Sequence, residues 1–147
     1  MYKCKYFKIQ ELVSKLVYDK YGEFCWRFFS EEFKKDLDTI REFHGKSLTI
    51  NDWCFGKSNF SQCGFRSNLD PMVKDKKTLY CSAHCMGKAV DLHSADNIKL
   101  FNDVKTLITQ GKLLTIKRLE SQESTKNGWV HVDCFETADG KLEIFKG

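Results

Sequence analysis

Two short stretches of the chain combine residue types that bind metal ions. In Ser82–Asp91, a histidine and an aspartate, His84 and Asp91, lie seven positions apart. The later stretch Gly128–Asp133 carries His131. Two imidazoles and a carboxylate are the ligand set of a catalytic zinc site whose fourth position stays open for water. His84, Asp91 and His131 are therefore candidate ligands of one Zn²⁺ ion.

Two other interpretations of these stretches stay open from the residues alone. Each side chain could be an ordinary polar residue of a strand or turn, because spacing does not prove that the two stretches meet. Cys81 and Cys85 flank His84 and could form a rival metal cluster with it, although they could equally pack beneath the loop.

Strands would present the candidate ligands on one face. Gly87–His93 reads as a strand in which Asp91 and His93 share a face, and Gly87 allows a tight turn after His84. Trp129–Phe135 alternates in the same way, with Trp129, His131, Asp133 and Phe135 on one face.

The remaining periodicity predicts an α+β domain over residues 1–147, with about three helices and a mainly antiparallel sheet that ends in a hairpin. The helices are expected at Phe7–Tyr21, from an N-cap at Ser30 to Gly45, and from an N-cap at Ser94 to Gly111. Further strands are expected at Ser47–Trp53, Leu113–Leu119 and Lys141–Phe145. The loop over residues 56–77 is long enough to suggest a functional role.

Composition argues against several classes of partner. The net charge of +4 is mild, and the one dense basic run, Lys74–Lys77, contains an aspartate, so no nucleic acid is expected. No apolar stretch has the length of a membrane span, and no signal sequence is recognisable, so we expect synthesis in the cytoplasm. The odd count of seven cysteines predicts reduced thiols.

The motif Ser82-x-His84-x-x-Gly87-x-Ala89-x-Asp91 resembles the signature of the zinc D-Ala-D-Ala carboxypeptidases and L-Ala-D-Glu endopeptidases. These peptidoglycan peptidases share a fold with the hedgehog signalling domain. Trp129–Asp133 is similar to their third-ligand motif, and Gly64–Ser67 resembles an arginine element that precedes the metal motif in many members. The resemblance spans residues 37–135 in order.

The resemblance implies a hedgehog-like fold that holds one zinc ion on His84, Asp91 and His131. It implies that Arg66 faces a substrate carboxylate or oxyanion and that Ser82 lines the substrate pocket. It also implies hydrolysis of peptidoglycan stem peptides by a monomer, as in compact bacteriophage or gut-bacterial members. A phage lysin of this kind would reach the bacterial cell wall after release from the cytoplasm.

The general base is where the chain departs from the family pattern. Several members carry an acid three positions before the third ligand, where this chain has Gly128. Asp133 is the candidate base, or else a partner that orients a ligand. His93 is an alternative acid or base, and Glu120 and Glu123 lie in a segment that could fold over the site.

Two other functions stay open. The missing acid at Gly128 is compatible with a non-catalytic, metal-stabilised module that binds wall peptide or a protein. A cytosolic dipeptidase acting on free D-Ala-D-Ala would need a closed pocket rather than an open groove.

Overall fold

The chain folds into six α-helices and one four-stranded mixed sheet, as described by a computed structural model of residues 1–147. The helices are α1 (Ile9–Leu12), α2 (Lys15–Tyr21), α3 (Glu31–His44), α4 (Pro71–Lys74), α5 (Asn97–Thr109) and α6 (Gln122–Thr125). The strands are β1 (Ala89–Leu92), β2 (Arg118–Glu120), β3 (Val130–Asp133) and β4 (Glu143–Phe145). Short 3-10 turns cover Gly22–Phe28, Trp53–Phe55 and Ala83–Met86. The predicted α+β class is confirmed.

The sheet has the strand order β1-β3-β2-β4. β3 pairs antiparallel with β1 and with β2, whereas β4 pairs parallel with β2. The expected closing hairpin is therefore wrong, and the sheet is mixed. After the turn at residues 139–140, the chain bypasses β3 and adds β4 to the outer edge of β2.

The two long helices begin and end close to the expected positions. Ser30 caps α3 by accepting a hydrogen bond from the Phe33 amide at 3.2 Å, and Gly45 ends the helix in the left-handed conformation. The cap of α5 is Asp96 rather than Ser94, because the Asp96 carboxylate accepts from the Lys99 amide at 2.9 Å. Ser94 instead accepts from the Asp96 amide.

The helix expected over Phe7–Tyr21 is broken at Val13. The side chains of Asn51 and Trp53 both donate to the Val13 carbonyl, at 3.2 and 2.9 Å, which takes it out of the helical pattern. Ser14 then caps a new helix, α2. The count of about three helices is thus too low, since α4 and α6 are further short helices.

Two expected strands are shorter than predicted. Ser47–Trp53 contributes only an isolated bridge, which pairs Thr49 with His93. The strand expected at Leu113–Leu119 begins at Arg118, because the Asp36 carboxylate accepts hydrogen bonds from the three successive amides of residues 114–116. Those amides are consequently unavailable to a sheet.

The sheet separates the hydrophobic core from a polar cleft. Its core face presents five buried residues, namely Val90, Leu92, Leu119, Val130 and Val132. They join a cluster of 26 buried apolar residues that includes the inner faces of α3 and α5. The alternate residues of the strands point to the opposite face, which carries the candidate site. No helix combines the length and the apolar character that crossing a membrane requires.

Candidate metal centre

The strand register aligns polar residues in two rows across the open face of the sheet. β1 and β3 pair Asp91 with His131, while β2 and β3 pair Arg118 with Asp133. The same register pairs Leu119 with Val132, so Glu120, the next residue of β2, extends toward His131. One row therefore runs Asp91–His131–Glu120, and Asp133 and Arg118 belong to the next.

His84 reaches this face from the 3-10 turn that precedes β1. Gly87 ends the turn with a φ of +66°, and a side chain there would overlap with the backbone carbonyl of Phe28. Gly64 packs against Leu12 so closely that a Cβ would overlap with the Leu12 carbonyl. The carbonyl of Gly64 in turn accepts a hydrogen bond from His84 Nδ1 at 2.8 Å. Both glycines are thus required to position His84.

Three potential ligand atoms converge in the cleft, one from each predicted metal residue. His84 Nε2 lies 3.2 Å from His131 Nδ1 and 3.4 Å from Asp91 Oδ1, and His131 Nδ1 lies 2.8 Å from Asp91 Oδ1. Tetrahedral zinc with bonds of about 2.0–2.1 Å holds its ligand atoms about 3.3–3.4 Å apart. The spacing of this buried His-Asp-His group therefore fits a metal ion.

The outer hydrogen-bond partners of both imidazoles are compatible with metal binding. His84 Nδ1 donates to the Gly64 carbonyl, which leaves the Nε2 lone pair for the centre. His131 Nε2 lies 3.3 Å from Asp133 Oδ2, so a proton on Nε2 leaves the Nδ1 lone pair for the centre. Partners of this kind orient metal-binding histidines and raise their basicity. With these tautomers the two nitrogens would offer lone pairs to a cation beside Asp91 Oδ1, whereas in the metal-free protein the same nitrogens can donate to that oxygen.

The electrostatics of the cluster also favour positive charge at its centre. Burial opposes ionisation of Asp91, but hydrogen bonds from His131 and His84 outweigh it and hold the Asp91 pKa well below its usual range. Burial likewise disfavours the charged form of His131, yet hydrogen bonds to Asp133 and Asp91 raise its pKa to about 9. A proton and a metal ion would thus compete for His131 Nδ1.

Arg66 lies in the wall of the cleft and orients a candidate ligand. Its guanidinium contacts Asp91 Oδ2 at 3.2 Å, which directs the other oxygen, Oδ1, toward the two histidines. Arg66 Nε donates to the Gln62 carbonyl at 2.7 Å, and Nη1 lies 3.4 Å from the Tyr80 hydroxyl. The arginine is therefore held rigidly, with part of its fork of donors at the cleft surface.

The cleft has a volume of about 530 Å³, which lies within the usual range for small-ligand and peptide pockets. Ser82 lies in its wall, two residues before His84. The residues that line the cleft are Arg66, Met72, Tyr80–His84, Asp91, Arg118, Glu120, Trp129, His131, Asp133, Phe135, Phe145 and Gly147.

Asp133 reaches the cleft, but its carboxylate is already fully engaged. Oδ1 accepts from the Phe135 amide at 3.0 Å, Oδ2 faces His131, and Arg118 Nη1 lies 3.3 Å from both oxygens. Burial opposes ionisation of Asp133, yet these hydrogen bonds hold its pKa below the ordinary value. The geometry favours Asp133 as the partner that orients His131 over a role as general base.

His93 lies outside the cleft. Its ring stacks on Phe60 with the centroids 3.8 Å apart, and Nε2 lies 3.4 Å from Cys63 Sγ. Burial lowers the pKa of His93. The face shared with Asp91 does not bring it to the site, because the segment around Phe60 covers the sheet at this position. The proposed acid–base role of His93 therefore has no support from this placement.

Arg118 and Glu120 are cleft residues on β2; the sequence pattern placed Arg118 on a strand without assigning it to the site, and it placed Glu120 beyond the end of that strand. They flank the buried Leu119 on β2, and this polar–apolar–polar alternation was the available signal. Arg118 bridges Asp133 and Glu143. Glu120 is half-buried, and burial raises its pKa. Glu123, by contrast, lies on α6 and pairs with Lys146 away from the cleft.

The cysteines do not form the rival cluster. All seven are free thiols. Cys81 is exposed at the cleft, and Cys85 Sγ lies 3.7 Å from the Ser82 hydroxyl. Neither belongs to the group of converging donors around His84, which consists of His84, Asp91 and His131 alone.

Comparisons with protein-family models, with curated proteins and with solved structures found no match to this chain.

Proposed function

We propose that this protein is a zinc-dependent peptidase that cleaves peptide bonds in peptidoglycan stem peptides. The observation that carries the proposal is the convergence of His84 Nε2, Asp91 Oδ1 and His131 Nδ1 within 3.4 Å of one another in an open cleft. The resemblance of the Ser82–Asp91 motif to the D-Ala-D-Ala carboxypeptidases and L-Ala-D-Glu endopeptidases supplies the substrate class and the hedgehog-like fold.

Zinc is the proposed ion because two imidazoles and one carboxylate match its preferences. Three protein ligands leave a position for water, as in catalytic rather than structural zinc sites. When bound, zinc would polarise the peptide carbonyl and lower the pKa of a coordinated water to about 7. The converging donor set is the feature of this chain that supports that assignment.

The chain's own residues would prepare the site for a peptide. Asp133 Oδ2 would accept the Nε2 proton of a metal-bound His131, and Arg66 contacts Asp91 Oδ2 and so orients its carboxylate. The remaining guanidinium donors of Arg66 would hold a substrate carboxylate or the developing oxyanion, for which a planar fork is suited. Ser82 and Tyr80 would complete the wall that contacts the peptide.

The proposed substrate also implies where the protein acts. A peptidase of this class would act on the bacterial cell wall, as a compact bacteriophage lysin does once it leaves the cytoplasm in which it was made. The mild net charge of +4 would aid attraction to an anionic wall polymer. We propose that the active form is a monomer, because all three candidate ligands come from one chain.

One observation favours a second candidate, a metal-stabilised module that binds wall peptide or a protein without cleaving it. Gly128 provides no carboxylate at the position where several members of the resembling family carry one. Such a module would bind the same metal and the same peptides but would release no products.

The deciding experiment is mass spectrometry of purified peptidoglycan fragments after incubation with the protein. The samples are untreated protein, protein treated with a chelator, and chelated protein resupplied with zinc. The peptidase should release new peptides that disappear with the chelator and return with zinc, and their masses would identify the bond. A His84→Ala variant that keeps its circular dichroism spectrum should be inactive.

The alternative outcomes are equally informative. Zinc and peptide binding by calorimetry without any product would select the binding module. Products that persist after chelation and in His84→Ala would refute a metal-dependent mechanism.

A further inference from the structure

The cleft contains three carboxylates, and two of them are fully committed to neighbouring groups. Asp91 gives Oδ1 to the two histidines and Oδ2 to Arg66. Asp133 accepts from Arg118, among other donors. No hydrogen bond or ion pair reaches the carboxylate of Glu120, which packs against the backbone of Gly147. Glu120 is thus the free acid of the cleft.

The sheet places Glu120 beside the converging donors. β2 and β3 pair Arg118 with Asp133 and residue 119 with residue 132, and continuing this register by one residue places Glu120 opposite His131. Directly opposed residues of antiparallel strands have Cβ atoms about 4.5–5.5 Å apart. Asp91 lies on the other side of His131 in the same row. The Glu120 side chain therefore extends from the strand beside His131 on the side away from Asp91, where the Phe145 ring also contacts the His131 ring, with centroids 5.7 Å apart.

The surroundings of Glu120 suit a reacting group. The side chain is half-buried, with Phe145 of β4 as its neighbour in the parallel register. It also lines the cleft that contains His84 and Arg66, so a peptide bound there would meet it. The side chain is thus partly shielded from bulk water, and it lines the cleft together with Gly147, which packs against its carboxylate.

We propose that Glu120 is the general base and general acid of this site, an inference that rests on the peptidase activity proposed above. The carboxylate accepts a proton from water as the water oxygen forms a bond to the peptide carbonyl carbon. Glu120 then returns this proton to the amide nitrogen as the C–N bond breaks. One water is consumed, and the products are a carboxylic acid and an amine, which ionise to a carboxylate and an ammonium group at neutral pH.

This assignment accounts for the missing acid at Gly128. In this chain, the strand next to His131 supplies a carboxylate to the same face of the sheet, so the residue three positions before His131 does not have to. The rigid support of a strand would hold the base to a fixed position relative to the ligands.

The test compares Glu120→Gln with wild type and with Glu123→Gln, a matched change of an exposed glutamate outside the cleft. Turnover of the chelator-sensitive peptide gives kcat and KM. Two further measurements do not depend on activity: zinc affinity by competition with a chromophoric chelator, and peptide affinity by calorimetry. Glu120→Asp moves the carboxylate back by one methylene group and so tests whether turnover depends on the position of the carboxylate.

Glu120→Gln should lower kcat by about 10²–10⁴-fold, the usual contribution of a general acid–base residue. KM, zinc affinity and peptide affinity should stay within about threefold of wild type, since the neutral isostere keeps shape and packing. Glu120→Asp should retain an intermediate rate, and Glu123→Gln should behave as wild type.

Other results would overturn the assignment. If Glu120→Gln keeps more than a tenth of the wild-type kcat, the base lies elsewhere while the peptidase proposal survives. If it loses zinc affinity in proportion to its rate, Glu120 supports the metal rather than the proton transfer. If wild-type protein yields no chelator-sensitive product, the peptidase proposal fails, and the role of Glu120 fails with it.

Discussion

Replacing Asp133 with Asn should weaken zinc binding by changing the tautomer of His131. The Phe135 amide donates to Asp133 Oδ1 at 3.0 Å, so the amide oxygen of an asparagine would take that position. Its NH₂ group would then replace Oδ2, 3.3 Å from His131 Nε2. An N–H donor at that place requires a lone pair on Nε2, which moves the proton to Nδ1, where the metal would bind.

The expected loss of zinc affinity depends on how deeply the contact between Asp133 and His131 is buried. Asp133 is only 1% exposed, so water cannot easily replace the lost acceptor. Loss of a partner that orients a ligand usually costs about 10–100-fold in metal affinity. Because the asparagine stabilises the wrong tautomer, we expect the upper part of this range, close to 100-fold or about 2.7 kcal/mol.

The assay is competition for zinc between the protein and a chromophoric chelator at neutral pH. Glu143→Gln is the matched control, because it removes the same charge from the other side of Arg118 without touching His131. Urea unfolding of the metal-free variants separates lost affinity from lost stability. A zinc affinity within threefold of wild type would refute the tautomer argument. An equal loss of zinc affinity in Glu143→Gln would show that the loss comes from the changed net charge near the site and not from the tautomer of His131.

Two further predictions concern the stability of the folded protein. A histidine whose pKa rises on folding, as that of His131 rises from 6.5 to about 9, stabilises the fold while it is protonated. The contribution, about 3 kcal/mol at roughly 1.4 kcal/mol per pKa unit, should be complete below pH 6.5 and lost as pH rises through 9. Urea unfolding at both ends of this range, with chelator, tests it; equal stabilities would contradict it. Gly64→Ala should destabilise the protein by about 2 kcal/mol or more and weaken zinc binding, because its Cβ overlaps with the Leu12 carbonyl. Gly128→Ala, which meets only the Thr125 carbonyl at 3.2 Å, is the control in thermal unfolding; equal effects would refute the packing argument.

The sequence alone determined the elements whose signals are local. Ser30 and Gly45 bound α3 because an N-cap hydroxyl and a left-handed glycine act within one turn of the helix. The alternation around Asp91 and around His131 likewise predicted strands with buried neighbours, and both strands are present. For these segments, a few neighbouring residues carry the whole structural signal.

Long-range hydrogen bonds decided the places where local patterns failed. The break at Val13 depends on donors from Asn51 and Trp53, and the late start of β2 depends on the carboxylate of Asp36. These partners are 38, 40 and 78 residues away along the chain, so no local periodicity reports them. The parallel addition of β4 to β2 is a non-local choice of the same kind.

The candidate site shows the same contrast between local signals and long-range contacts. Residue types and strand alternation were sufficient to nominate His84, Asp91 and His131, because metal chemistry limits the set of ligands. Only the tertiary structure decided which neighbouring residues contact these candidate ligands. It engages Asp133 with Arg118 and His131, buries His93 against Phe60, and leaves Glu120 free in the cleft. The role of a carboxylate depends on which donors reach it, and that is fixed by the register between strands, which the sequence of any single strand does not encode.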